Sequence, residues 1–280
     1  MREVVPVPVA EAAAAPALPW WAWPSALCLE GAAFVLLARE VVQPGAFLGR
    51  PWETVGLGWA LWVGYALERW MDARRGQTKG GTYRHAFVQA NQRSFLALGL
   101  VGLAGLMYVA APDFAVVAEA FAKYRSVFFL APLFLLLSTR LSPNSGWLYR
   151  TFAVAVILSL LSAKQSVRLV ETGVTQHVIY LGFALPIFAL VIANLAVTRR
   201  GEETVRTWQL RLGPMFAAVL GTIFTLWAVP GAAGPAAAAA FGGASLWFLD
   251  RRSEGVPAEM VRARADVLTI LALAAGLWIR

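Results

Sequence analysis

The chain has one cysteine and two histidines in 280 residues, and only 14% of its residues carry a charge. A lone cysteine, Cys28, excludes an internal disulfide and any cysteine-based metal cluster. So low a charge is far from the quarter or so expected of a soluble domain. The first residues, MREVVPVPVAEAAAAPALP, lack a charged segment leading directly into an apolar core, so they do not read as a cleaved signal peptide. Residues 1–20 read instead as a Pro/Ala-rich tail ahead of a single helical domain over 21–280. The formal net charge of +8 does not argue for nucleic acid, because the basic residues fall in short connections between apolar runs. In those places they read as topology signals facing anionic lipid.

What the chain does have is hydrophobic sequence: 59% of its residues, with a mean hydropathy of +0.62. Nine apolar segments can be drawn: Trp21–Val42, Trp52–Met71, Ser94–Ala111, Phe114–Thr139, Trp147–Ser162, Val178–Val197, Leu212–Val229, Ala236–Leu249 and Asp266–Ile279. Placing the N-terminus on the cytoplasmic side puts 17 of the 24 Lys and Arg on that side. Removing a middle segment would scramble the alternation. The expectation is therefore an all-α polytopic membrane bundle of about nine transmembrane helices, with the N-terminus inside and the C-terminus outside. It would be an integral protein of a bacterial cytoplasmic (inner) membrane.

Within this pattern, WALWVGYALERWMDARR at Trp59–Arg75 stands apart. Glu68 and Asp72 are four residues apart, so a helix sets both carboxylates on one face. The stretch ERWMDARRG is loosely repeated as ANLAVTRRGEE at Ala193–Glu203, where Asn194 takes the place of the acids and the exit is again Arg-Arg-Gly. Such ends also arise as ordinary stops of apolar helices, with the acids paired to Arg69, Arg74 and Arg75. Asn194, flanked by apolar residues, needs a hydrogen-bond partner and also suits a bond between helices. Glu30, inside the first segment, would be costly unless it faces the bundle interior, where it would line a substrate cavity. Arg84 and His85 follow Gly80 and Gly81 in a polar stretch read as a loop.

Nine segments with polar inner ends on the second and sixth, and long connections after each, resemble the UbiA-type intramembrane prenyltransferase superfamily. That resemblance implies Mg²⁺ held by Glu68, Asp72 and Asn194, with Arg75, Arg84 and Arg199 on the diphosphate of a prenyl donor. The chain departs from the family's Asp-rich motifs: Gly76 stands where another acid is expected, and the second motif offers Asn194, Thr198 and Glu202. The implied activity is transfer of a prenyl group to an aromatic or other lipophilic acceptor, in contact with membrane lipids. The depleted motifs leave open a non-catalytic isoprenoid- or lipid-binding member of that fold, and the repeat leaves open a small-molecule transporter.

Overall fold

A computed structural model describes residues 20–27, 29–42, 45, 48, 55–56, 58–59, 62–63, 66, 83–110, 122, 175–198, 207–226 and 233–279. Side chains at 21, 25, 83–86, 106, 109–110, 175–183 and 207–211 are outside that description. Among the described residues all regular structure is helical. After short turns at Trp20–Ala22 and Trp23–Ala26 come α1 (Leu29–Val42), α2 (Tyr83–Ala90), α3 (Gln92–Ala110), α4 (Thr175–Thr198), α5 (Thr207–Leu226), α6 (Ala233–Arg252) and α7 (Ala258–Gly276).

These helices correct the membrane reading. No helix among the described residues is long and apolar enough to cross a membrane. A span takes about 20 predominantly apolar residues. Helix α1 has 14 residues and includes Glu30, Arg39 and Glu40. In α6, 20 residues long, the apolar content is mostly alanine and glycine, and the helix ends in Asp250, Arg251 and Arg252. In α7, 19 residues long, Glu259, Arg262, Arg264 and Asp266 fill the first half. The nine-span polytopic bundle, its transmembrane character and its placement as an integral inner-membrane protein are therefore not supported. In α6 composition misled because alanine and glycine count as apolar while contributing little transfer free energy.

Helix α6 is the centre of the described bundle and packs against α5, α7, α4 and α1. Its small residues make this possible. Gly234, Pro235, Ala236–Ala239, Gly242 and Gly243 are all buried, so backbones approach without side chains to hold them apart. A Cβ on Gly243 would lie 2.7 Å from the Pro214 carbonyl oxygen, and one on Gly221 would lie 2.6 Å from that of Ala236. These two contacts run in opposite chain directions, so α5 and α6 are antiparallel. At the far end, a Cβ on Gly234 would lie 2.7 Å from the Gly276 oxygen, which closes α6 against α7. Leu190 of α4 packs on Gly242, and Ile187, Leu190, Leu246 and Leu273 fill the centre of the core.

A second cluster forms around Trp62, Ala66, Val88 and Phe95. The Trp62 indole N–H donates to the Leu27 carbonyl at 2.7 Å, tying this segment to the turn before α1. Trp62 stacks on Phe95 with centroids 6.5 Å apart, and Phe87 meets Phe95 edge-on at 6.1 Å and Trp23 edge-on at 5.4 Å. Such aromatic contacts add to area burial because ring faces and edges carry opposite partial charge. The stretch read as a basic loop therefore contains a helix, α2. Phe87, Asn91 and Phe95 recur every four residues, and the Asn91 side chain donates to the Phe87 carbonyl at 2.9 Å.

Candidate functional site

The buried residues of α7 are Val261, Arg262, Ala265, Thr269, Ala272, Leu273 and Gly276, one stripe with helical period. Two polar groups, Arg262 and Thr269, therefore belong to an otherwise apolar interface. Glu259 and Asp266 are half-buried beside them. Spacings of three and four place Glu259, Arg262, Asp266 and Thr269 on one side of the helix.

Across the interface, α4 meets this stripe with Asn194 and Thr198. The Asn194 amide nitrogen donates to Asp266 Oδ1 at 3.0 Å. One turn further along, Arg262 Nε donates to the Thr198 carbonyl at 2.7 Å. The first bond joins 194 to 266 and the second joins 198 to 262. Each step forward on α4 is thus matched by a step back on α7, forming an antiparallel polar ladder. Thr198 is the last residue of α4, where carbonyls have no partner within the helix. A guanidinium there satisfies the carbonyl and complements the negative end of the helix dipole.

A hydrogen bond to a charged group contributes about 1.5–3 kcal/mol net. Arg262 is 8% exposed and Thr198 7%, so water offers little competition. The α6–α7 turn closes the same end. Asp250 and Ser253 are buried there, with the Ser253 hydroxyl donating to the Leu249 carbonyl, and Gly255 takes a left-handed φ of 76°. That conformation costs glycine nothing.

Two acceptors at this end are shielded from solvent and accept no hydrogen bond: Asn194 Oδ1 and Glu259 Oε1. Glu259 lies seven residues before Asp266, about 10 Å along α7. The two acceptors therefore belong to separate positions. A magnesium shell takes about six oxygens in near-octahedral geometry. Among the described residues the ladder brings the Asn194 amide beside the Asp266 carboxylate, and no group of three His, Cys, Asp or Glu converges. By themselves these residues do not make a magnesium site.

Of the residues that the sequence singled out, Glu68, Asp72, Arg75 and Arg199 lie outside the described residues. Arg84 and His85 fall in α2 with side chains outside the description. Glu30 is half-buried in the first turn of α1. Asn194 is joined to Asp266 across the α4–α7 interface. Its partner Asp266, and the neighbouring bond from Arg262 to Thr198, were missed by sequence reasoning. A cue was present, since Arg262 and Asp266 are four apart at the opening of the last apolar run.

Comparison with family models, with curated proteins and with solved structures finds no match for this chain.

Proposed function

We propose that the protein binds an isoprenoid-type lipophile at the α4–α7 ladder without transforming it. The observation that carries this reading is the state of Asn194. Its amide nitrogen is held by Asp266 while Oδ1 is left as an acceptor inside an apolar interface. A lipophile bearing one hydroxyl or phosphate-ester head has the matching chemistry. Its chain would favour apolar surface, and a protonated head oxygen would donate to Oδ1. Transfer asks for more than this: carboxylates converging on a metal that takes the leaving diphosphate. The ladder spends its carboxylate on a neighbouring helix instead.

The test is equilibrium binding of radiolabelled farnesol and farnesyl diphosphate to the full chain in neutral detergent, with Mg²⁺ or with chelator. Saturable binding, insensitive to chelator and weakened about ten-fold in Asn194→Leu, is the expected outcome for one lost hydrogen bond. Absence of saturable binding by either compound refutes the reading. Magnesium-dependent release of diphosphate, with label passing to an added phenolic acceptor, would replace it with transfer.

A further inference from the structure

At the end of α6, two arginines lie over two aromatic rings. The Arg251 guanidinium carbon sits 4.8 Å from the Trp247 ring centroid, and that of Arg252 sits 4.4 Å from the Phe248 centroid. The cause is local. Each pair is spaced i, i+4, and helical side chains lean toward the N-terminus, so each guanidinium is laid over the ring one turn back. Both arginines are exposed. Trp247 and Phe248 remain 37% and 51% exposed although Leu246 and Leu249 beside them are buried.

The α6 helix dipole accounts for two cations in the last turn. It does not account for two exposed rings beneath them. The surroundings extend the same chemistry. Gly243 packs against 214–218 of α5, so Leu212, Met215 and Phe216, all exposed, lie at this end of the α5–α6 pair. Arg264 is exposed near the start of α7. Against these cations, Glu254 is the exposed acid in the turn between α6 and α7, while Asp250 is buried.

We propose that this end of α6 is a docking surface for an anionic phospholipid surface. Stacked on a ring, a guanidinium still presents its edge N–H groups, which suit two phosphate oxygens at once. Trp and Phe beneath the cations occupy the boundary between headgroups and acyl chains. The charge is complementary, and the exposed apolar side chains of α5 and α6 beside the cations suit the acyl region beneath the headgroups. The contact is peripheral, needs no spanning helix, and stands independently of lipophile binding at the ladder.

The experiment is flotation of the full chain with vesicles of phosphatidylcholine alone or with added phosphatidylglycerol. Preference for the phosphatidylglycerol vesicles, reduced by salt, is expected. Each arginine near such a surface changes partitioning about five-fold, so Arg251→Gln with Arg252→Gln should lose about 25-fold. Trp247→Ala with Phe248→Ala should weaken binding to both kinds of vesicle. Arg93→Gln, an exposed arginine on α3, should change binding less than two-fold, and helical circular dichroism should be unaltered in every variant. Equal binding to both vesicles, a double arginine variant that floats like wild type, or a loss in Arg93→Gln as large as that from one patch arginine would each overturn the proposal.

Discussion

Replacing Gly243 with alanine tests a close backbone-to-backbone approach between α5 and α6. The new Cβ would sit 2.7 Å from the Pro214 oxygen and 2.9 Å from the Ala217 carbonyl carbon, where ordinary contact begins at 3.4 Å. Relief requires the α5 and α6 backbones to part by at least about 0.7 Å, the difference between 3.4 and 2.7 Å, and the Ala218 backbone nitrogen lies nearer still. A gap of that size forfeits a quarter to a half of each dispersion contact along the seam, and overpacking of this kind costs about 1–3 kcal/mol. Alanine also favours the helix over glycine by about 0.8–1 kcal/mol. The two effects oppose each other, and the backbone clash wins because neither backbone can rotate away as a side chain would. Gly105 supplies the contrast, since nothing lies within 4 Å of a Cβ built there. Gly105→Ala should therefore stabilise by about 1 kcal/mol through propensity alone. The assay is thermal unfolding of the full chain followed by circular dichroism, where 1 kcal/mol moves the midpoint by a few degrees. Opposite shifts are expected. Equal shifts of the same sign in both variants would refute the close packing of α5 on α6.

Other consequences follow from the same geometry. Arg262→Met removes the cap on α4 while keeping most of the side-chain volume, and should destabilise by about 1.5–3 kcal/mol in the same unfolding assay. Arg262→Lys should not restore stability, because an ammonium cannot reproduce a donor at the Nε position. Asp266→Ala leaves the half-buried Asn194 amide without this acceptor and should cost about 1–2 kcal/mol. Gly102→Ala places a Cβ within the Trp59 indole, so the ring must leave its seat. Near-ultraviolet circular dichroism should change while helical content does not, and an unchanged aromatic spectrum would show that Trp59 does not rest on Gly102.

Helical class was written plainly in the sequence, because apolar runs of helix length recur with breakers between them. Helices α4, α5 and α6 lie over segments drawn from hydropathy alone. Spanning character was not legible in the same way. Alanine and glycine in α6 count as apolar, yet here they serve close helix packing, while the charged first half of α7 was assigned to a connection. Helix α2 escaped notice because its average polarity masked the Phe87–Asn91–Phe95 face. At the ladder, Asn194 was visible as a polar residue in an apolar run that needs a hydrogen-bond partner. That partner is 72 positions away. Pairing at such distance is set by how α4 and α7 align, which periodicity within either helix does not encode.

The most direct test is ligand-induced stabilisation of the full chain by farnesol and by farnesyl diphosphate. A ligand that binds only the folded state raises unfolding free energy, by about 2.7 kcal/mol at 100 times its dissociation constant. The account predicts a saturable upward shift in the unfolding midpoint for wild type. It also predicts that Asn194→Leu needs about ten times more ligand for the same shift. Identical titrations for the two proteins, or no shift in wild type, would contradict binding at the α4–α7 ladder.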